Sequence, residues 1–228
     1  MRPEFAQVSF NVRSNMIRNI VFDIGNVLAD FRWAEFLADK GFDAEMVERI
    51  GKASVNDAYW HEFDRGIMSY DEIFAGFVSN DPEIEAELHQ AFDDFYGIVT
   101  KRDYSIPWIE SFKAAGYRVY YLSNYPERIY QDCREALDFT DHCNGGILSF
   151  QDKMVKPDRE MYELLLSRYG LVAEECVFMD DLEPNVKAAT ECGFNAFVFT
   201  DKAAAEEELR NLGVTKSEGI GKQMKLMR

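Results

Sequence analysis

The sequence predicts an α/β fold, in which a parallel sheet carries helices on both faces and an all-helical region is inserted after the first strand. Apolar β-branched segments alternate with helices of about ten residues, as parallel strands joined by crossover helices do. Residues 32–103 repeat apolar side chains only at helical spacing. Polar side chains collect where several predicted strands end, which is typical of a ligand pocket at the edge of such a sheet.

The composition is that of a folded, acidic protein. Of its 228 residues, 47% are hydrophobic and 14% aromatic, too rich in apolar side chains for a disordered chain. The formal net charge of −16 makes nucleic acid and anionic membrane surfaces poor partners. A small anionic substrate stays compatible with that charge, because exposed charges are screened over about 8 Å at physiological salt. No apolar stretch approaches the roughly 20 residues that span a bilayer, so we expect no membrane partner.

The N-terminal segment MRPEFAQVSFNVRSN lacks the apolar centre of a signal peptide. Cys133, Cys143, Cys176 and Cys192 form no CxxC pair and no zinc-like spacing with the three histidines, so we expect reduced thiols. Together these features predict a cytoplasmic protein. We expect its ends, residues 1–15 and 213–228, to be loosely ordered.

The first predicted strand ends in a carboxylate. In the segment NIVFDIGNVLADF, residues 19–31, the apolar run 20–22 is followed by Asp23 and then by Gly25 and Asn26. A short β-branched and aromatic run closed by Gly and Asn is typical of a buried strand that stops at a loop. A carboxylate at that end lies where open α/β sheets bind their ligands. The alternative is an Asp that only caps the next turn.

Residues 31–104 are predicted to form the inserted helical domain. The segment WAEFLADKGFDAEMVERI has apolar residues at helical spacing, with a break at Gly41. Ser69 and Glu72 form a capping-box pattern at the start of another helix. Pro82 begins a further helical segment, PEIEAELHQAFDDFYGIV. Because strand-like alternation is missing, we expect the whole insertion to be helical.

The predicted core takes residues 16–30 and 105–212, where strands and helices alternate. Glycines and prolines punctuate the pattern at the expected ends of helices. The later strands are predicted at 117–123, 146–150, 175–181 and 195–201, and the helices at 107–115, 126–137, 156–169, 184–192 and 203–212.

Polar side chains stand at the ends of three predicted strands. They are Asp23, the pair Ser123 and Asn124, and the pair Asp180 and Asp181. Because the carboxyl ends of parallel strands share one edge of a sheet, these distant segments should converge on one pocket. Solubility alone does not explain three such groups.

The converging residues have the chemistry of a cation and phosphate site. Carboxylates placed close together repel one another unless a cation joins them, and their oxygen atoms suit Mg²⁺. Gly25 would let a backbone carbonyl approach that ion without a Cβ in the way. With Mg²⁺ and Lys156 present, the site can hold a phosphate dianion, which Asp23 can attack to form an aspartyl-phosphate. Ser123 and backbone N–H groups beyond the strand ends would hold the phosphoryl oxygens.

Four motifs follow one another along the chain: VFDIGNV, LSN at 122–124, KPD at 156–158 and FMDDLEPN at 178–185. In their order and spacing the chain resembles the haloacid dehalogenase superfamily, and within it the phosphatases with a Rossmann-like core and an inserted helical cap of the C1 type. The resemblance implies a Mg²⁺-dependent phosphomonoester hydrolase that acts through an aspartyl-phosphate. It implies catalytic roles for Asp23 and Lys156, phosphate contacts from Ser123, Asn124 and Lys156, and Mg²⁺ ligands from Asp23, Gly25, Asp180 and Asp181.

The helical insertion looks like the cap that closes over the substrate and sets specificity, with hinges expected near Asp30 and Ser105. Its segment FDRGIMSYDEI is similar to the caps of sugar-phosphate phosphatases. The DxGNV form of the first motif is similar to that of the α-D-glucose-1-phosphatase-like group. These likenesses imply a small phosphorylated metabolite as substrate, a sugar phosphate such as glucose 1-phosphate being the first candidate. We expect the protein to be a monomer or a homodimer.

One position departs from the common pattern. Most phosphatases of this superfamily carry a second Asp two residues after the nucleophile as general acid and base, whereas this chain has Gly25. An anomeric oxygen would need little protonation on leaving. Alternatively, a cap residue such as His61 or Asp64 supplies the proton, or activity is low. For His61, a surface histidine on a helix is the favoured interpretation over a catalytic one.

The residues also bear on three alternative functions. A 2-haloacid dehalogenase of the same fold needs no Mg²⁺, and the acidic pair Asp180 and Asp181 argues against it. A phosphonatase needs a cap lysine, for which Lys40 and Lys52 are available. The third alternative is a non-catalytic, phospho-ligand-binding regulatory protein, and Gly25 is its one support.

Overall fold

A five-stranded parallel sheet forms the core of residues 16–216, the part of the chain that the computed structural model describes. The strands in this range are β1 (Asn19–Phe22), β2 (Ala29–Phe31), β3 (Val99–Lys101), β4 (Arg118–Ser123), β5 (Gly145–Leu148), β6 (Cys176–Asp180) and β7 (Asn195–Val198). The sheet has the order β5–β4–β1–β6–β7, and all its neighbours are parallel. The predicted fold class is therefore confirmed. The predictions for residues 1–15 and 217–228 lie outside the described residues.

β1 is the central strand, and all four of its residues are buried. Successive side chains of a strand point to opposite faces of the sheet. Accordingly Ile20 and Phe22 pack into one apolar cluster, while Val21 packs into a second cluster on the other face. A strand covered on both sides must be apolar throughout, which explains the unbroken apolar run before Asp23.

The chain leaves the core through β2 and returns through β3, which pair antiparallel as a separate ribbon. In this ribbon Ala29 lies opposite Lys101 and Phe31 opposite Val99. A group of helices, here called the cap, lies between the two strands. The cap helices are α1 (Trp33–Asp39), α2 (Ala44–Ala53), α3 (Ala58–Arg65), α4 (Tyr70–Asn80) and α5 (Glu85–Ala91).

Local signals in the cap act as the sequence predicts. Gly41, with a φ of 95°, follows the end of α1 in a backbone conformation that favours glycine. The capping box at the start of α4 is formed, since the Ser69 N–H donates to Glu72 Oε2 at 2.8 Å and the Glu72 N–H donates to Ser69 Oγ. Pro82 begins a 3₁₀ turn, Pro82–Ile84, that leads directly into α5.

The remaining helices cover the two faces of the sheet. The cap-side apolar cluster contains Phe22 and Trp108 from the core together with Trp60 and Phe77 from the cap, so cap and core share one packed interior. No helix between residues 16 and 216 combines the length and apolar character needed to cross a membrane. The core helices are α6 (Ser105–Ala114), α7 (Glu127–Asp132), α8 (Ser149–Asp152), α9 (Arg159–Tyr169), α10 (Glu183–Glu191) and α11 (Lys202–Asn211), with 3₁₀ segments Arg134–His142 and Ala173–Glu175.

Four details differ from the predicted elements. The ribbon strand β3 interrupts the insertion that was expected to be helical throughout. The helix predicted at 126–137 is the short α7 followed by a 3₁₀ segment. Phe150 lies in α8 rather than in a strand, because the chain turns at Ser149, whose hydroxyl bonds to backbone groups. The last strand stops at Val198, three residues before the predicted end.

Candidate active site

Lys156 joins two carboxylates at the carboxyl edge of the sheet. Its ammonium donates to Asp23 Oδ1 at 2.8 Å and to Asp180 Oδ2 at 2.6 Å. Asp23 follows β1 and Asp180 ends β6, which is the neighbouring strand, so the parallel pairing itself brings the two acids together. The exposed fractions of Asp23, Lys156 and Asp180 are 6%, 2% and 0%. The three groups therefore interact largely out of water.

The backbone of Lys156 is held by Asn124, the residue after β4. The Asn124 side-chain amide donates to the Lys156 carbonyl at 2.9 Å, and the Lys156 N–H donates to Asn124 Oδ1 at 2.7 Å. Both side-chain groups of Asn124 are thus engaged with the lysine loop. If Asn124 contacts phosphate, as predicted, its backbone N–H is the group that remains for that contact.

The two acids at the end of β6 have different surroundings. Asp180 is saturated with hydrogen bonds, since besides Lys156 it accepts from the Leu182 N–H at 2.8 Å and from the Asn185 amide at 3.0 and 3.1 Å. Asp181 is half-buried and accepts one bond at Oδ2, from the Asn26 amide at 2.9 Å. Of the two acids, Asp181 accepts fewer hydrogen bonds and so has more oxygen lone pairs available for a metal ion.

The electrostatics of the site favour an added cation. Burial raises the pKa of Asp23 to about 7, with Lys156 opposing the rise and Asp180 adding to it. Burial also raises the pKa of Asp181, against the hydrogen bond from Asn26. Burial acts to lower the pKa of Lys156, but Asp180 and Asp23 raise it above its ordinary value. One ammonium thus faces three carboxylates, an excess of negative charge in a poorly solvated place.

The donor set fits a Mg²⁺ ion. One carboxylate oxygen from each of Asp23, Asp180 and Asp181 lies within 4.8 Å of the others. No backbone donor between residues 16 and 216 bonds the Gly25 carbonyl outside regular elements. A Cβ at position 25 would meet only Asp23 Oδ2, at 4.0 Å, so space remains beside it. Hard oxygen ligands with room for water are what Mg²⁺ requires.

A cavity of about 540 Å³ opens over these groups, between the core and the cap. Asp23, Gly25, Ser123, Asn124, Lys156 and Asp181 line its floor, whereas Asp180 is fully buried and is not among the lining residues. Ser123 is 2% exposed, and its hydroxyl makes only a long 3.4 Å contact to the Asn124 carbonyl. The predicted residues are therefore brought together, and Ser123 lines the cavity with its hydroxyl largely unengaged.

The cap side of the cavity is mainly apolar. Phe31, Trp33 and Trp60, here called the aromatic wall, line it together with Val55 and Val99. The polar side chains that the cap contributes are Asn56, His61 and Asp64. Trp33 and Trp60 belong to the region whose helical spacing was predicted, but that spacing is the same for a core face and for a cavity face.

Sequence reasoning also missed two asparagines. Asn185, at the start of α10, donates to Asp180, and Asn26, in a left-handed conformation with a φ of 55°, donates to Asp181. Asn26 lies inside the motif VFDIGNV, and Asn185 lies inside the motif FMDDLEPN. For Asn185 the signal was its position shortly after Asp180, which permits a local side-chain hydrogen bond. The bond of Asn26 joins residues 155 positions apart and has no local signal.

A model of the haloacid dehalogenase-like hydrolase family matches residues 17–193, which is well over half of the chain. The chain therefore belongs to this family, and the prediction of an enzyme of this class is confirmed. The narrower likeness to the glucose-1-phosphatase group and to a C1-type cap stays a prediction.

Three relatives are similar over most of their length. A sesquiterpene phosphatase of Aspergillus oryzae is 28% identical over 192 residues, which cover 84% of this chain and 94% of that protein. A D-ribitol-5-phosphate phosphatase of Bacteroides thetaiotaomicron is 28% identical over 213 residues, covering 85% and 97%. A haloacid dehalogenase family enzyme of the same bacterium, solved with magnesium and inorganic phosphate, has a TM-score of 0.62 at 21% identity and covers 81% and 94%. At this low identity, the similarity to the solved structure shows a shared fold only.

Proposed function

We propose that the protein is a Mg²⁺-dependent phosphomonoester hydrolase in which Asp23 is transiently phosphorylated. The observation that carries the proposal is the placement of Asp23 between Lys156, at 2.8 Å, and the acidic pair at the edge of the sheet. The two curated relatives described above are both phosphatases, which supports the same reaction class.

In this proposal, each residue of the cavity floor has its own role in phosphoryl transfer. Asp23 supplies the oxygen that attacks phosphorus, because its carboxylate is the acid that faces the cavity and touches Lys156. Lys156 compensates charge on the phosphoryl oxygens, and the Ser123 hydroxyl with nearby N–H groups orients them. Asp23, the Gly25 carbonyl and Asp181 would hold Mg²⁺, which when bound reduces the repulsion between the phosphate dianion and the attacking carboxylate.

Within the acidic pair, we assign the direct metal contact to Asp181. Asp180 already accepts from Lys156, Leu182 and Asn185. Its role in this proposal is to hold the lysine in place. Asp181 lines the cavity and has one oxygen free of hydrogen bonds from residues 16–216.

For the substrate, a sugar phosphate such as glucose 1-phosphate is the first candidate. The cap offers Asn56 and His61 as hydrogen-bonding groups for hydroxyls, and the ribitol-5-phosphate phosphatase acts on a polyol phosphate. The aromatic wall favours a second candidate, the phosphate ester of an apolar alcohol. An apolar chain would bury against Phe31, Trp33 and Trp60, and one relative is a sesquiterpene phosphatase.

A single panel tests both the reaction and the substrate. The purified protein is assayed for phosphate release from glucose 1-phosphate, ribitol 5-phosphate and a prenyl monophosphate, each with Mg²⁺ and with EDTA. We expect EDTA to abolish turnover and Mg²⁺ to restore it. Asp23→Asn should still bind substrate but lose hydrolysis, because an amide is not a nucleophile. Full activity in EDTA would exclude the metal, and steady turnover by Asp23→Asn would exclude the covalent route.

A further inference from the structure

Asp64 is a carboxyl group without a partner inside the cavity. It lies on α3, one helical turn after His61, and lines the same space as Asp23 and Lys156. Among residues 16–216, the side-chain donor that reaches Asp64 is the Ser149 hydroxyl, and it bonds to the backbone carbonyl, at 2.5 Å. The carboxyl itself is left free of hydrogen bonds in this range. Asp64 is half-buried and borders the open cavity, so its carboxyl is free to contact a bound substrate.

The backbone at Asp64 is fixed to the core. Ser149, which is completely buried, donates to the Asp64 carbonyl and accepts from the Tyr125 N–H at 2.8 Å. Tyr125 lies at the floor of the cavity, and its hydroxyl is buried with no hydrogen-bond partner in the described chain. Ser149 therefore places the end of α3 and the floor of the site in one hydrogen-bonded unit.

Two further contacts secure the same end of α3. Arg65 Nη1 lies 3.1 Å from Asp158 Oδ2, and Lys153 Nζ donates to the Gly66 carbonyl at 2.6 Å. Both core partners flank Lys156 in the chain. As a result, the position of Asp64 relative to Lys156 is set by three separate contacts.

We propose that Asp64 is the general acid that protonates the leaving oxygen of the substrate, in the role that an Asp at position 25 would otherwise have. This inference rests on the proposed phosphatase function. Asp64 is preferred over His61 because it lies at the end of α3 that Ser149, Asp158 and Lys153 fix to the core beside Lys156.

The proton balance of the two steps closes. In the first, a bond forms between Asp23 oxygen and phosphorus while the ester P–O bond breaks, and the Asp64 proton passes to the leaving oxygen, which departs as a neutral alcohol. In the second, water attacks phosphorus, its proton returns to Asp64, and the Asp23–phosphorus bond breaks. The products are the alcohol and hydrogen phosphate, and both carboxyl groups return to their starting states.

The environment of Asp64 suits a proton donor. Burial raises the pKa of Asp64 to about 8, with Lys156 opposing the rise and Asp23 adding to it. The other ionisable groups around it are His61 on the same helix, Tyr125 on the floor and Arg65, which is already paired with Asp158. A raised pKa favours the protonated carboxyl, which is the form that an acid catalyst requires.

The test compares two leaving groups in one variant. Asp64→Asn is assayed with Mg²⁺ on 4-nitrophenyl phosphate, whose leaving group departs without a proton, and on an alkyl phosphate, whose leaving group needs one. We expect kcat/KM, which reports the first step, to fall about 10²–10⁴-fold on the alkyl ester and only a few-fold on the nitrophenyl ester. In contrast, kcat should fall on both esters, because the second step loses its base. His61→Gln, on the same face of α3, is the matched comparison. Asp23→Asn, by contrast, should lose both activities, which separates failure of the proposed function from failure of this inference.

A double variant tests whether the carboxyl group removed in Asp64→Asn acts as an acid. A side chain at position 25 has open space beside Asp23 Oδ2, so Gly25→Asp can supply a carboxyl there. The double variant Asp64→Asn, Gly25→Asp should regain activity on the alkyl ester. Equal losses of kcat/KM on both esters in Asp64→Asn would overturn the proposal, as would a leaving-group-dependent loss of kcat/KM found in His61→Gln instead. It would also be overturned if the double variant stayed slow on the alkyl ester while remaining active on the nitrophenyl ester.

Discussion

The indole ring of Trp33 lies directly against the α-carbon of Gly51. A Cβ added at position 51 would be 2.7 Å from the ring carbons Cη2 and Cζ3, closer than real contacts allow. Because Trp33 belongs to α1 and Gly51 to α2, this contact between helices determines where one side of the aromatic wall stands. The width of the cavity is thus controlled by a residue that does not line it.

Gly51→Ala should narrow the cavity without touching the floor. The added methyl group displaces the Trp33 ring away from α2, toward the space that it lines. We expect kcat/KM for an ester with a bulky apolar group to fall about tenfold or more, while a small ester such as 4-nitrophenyl phosphate is changed less. Steady-state kinetics on both esters measure the effect.

Gly76→Ala is the matched control for that change. A Cβ at Gly76 would be 2.5 Å from the ring of Tyr59, also within the cap, but Tyr59 is not among the residues that line the cavity. Both variants should lower Tm, since both force a ring out of a packed position. Equal changes in substrate preference for the two variants would show that general loosening of the cap, and not the Trp33 position, is responsible.

Asn26→Gly should weaken Mg²⁺ binding. Asn26 orients Asp181 through a 2.9 Å hydrogen bond, and loss of such a supporting contact typically costs about 10–100-fold in metal affinity. Glycine accepts the left-handed φ of 55° at this position, so the backbone is preserved. A Mg²⁺ titration of activity, together with calorimetric Mg²⁺ binding, gives the shift. An unchanged Mg²⁺ requirement would remove Asp181 from the metal ligands.

Tyr125→Phe should make the protein more stable. The protein buries the Tyr125 hydroxyl without a partner among residues 16–216, and such a group costs about 1–3 kcal/mol. Its removal should raise Tm by about 2–4 °C for each kcal/mol regained. Scanning calorimetry of the two proteins measures the change.

Tyr162→Phe is the control variant, for which we expect the opposite change in Tm. The Tyr162 hydroxyl is also buried, but it donates to the Asn185 carbonyl at 2.9 Å, so its removal leaves that carbonyl unpaired and should lower Tm. A fall in Tm for both variants would mean that Tyr125 is hydrogen-bonded in solution, which contradicts the prediction.

The sequence predicted the floor of the site well because its residues follow local rules. Asp23, Ser123 and Asp181 each stand at or directly after the end of a strand that apolar composition alone identifies. Parallel order then places strand ends at one edge. The ribbon strand Val99–Lys101 was missed, since three residues show no alternation and its partner lies about seventy residues earlier in the chain.

Sequence patterns could not predict which residues line the cap side of the cavity. Trp33 and Trp60 have helical spacing that fits a packed interior, and only the packing of α1 and α3 over the core reveals that they border open space. The partnership of Ser149 with Asp64 spans 85 positions and depends on the same packing. Such contacts follow from how elements meet, which a single sequence does not specify.

The pairing of β2 with β3 has a mechanical consequence. The two chain crossings between cap and core are bonded to each other, with Asp30 opposite Thr100 and linked to Arg102 at 2.7 Å. A cap that opened about these crossings would have to bend both together and break the contacts at the end of α3, where Ser149 bonds Asp64. Such an opening would withdraw the proposed acid from the phosphate and admit water in the same movement.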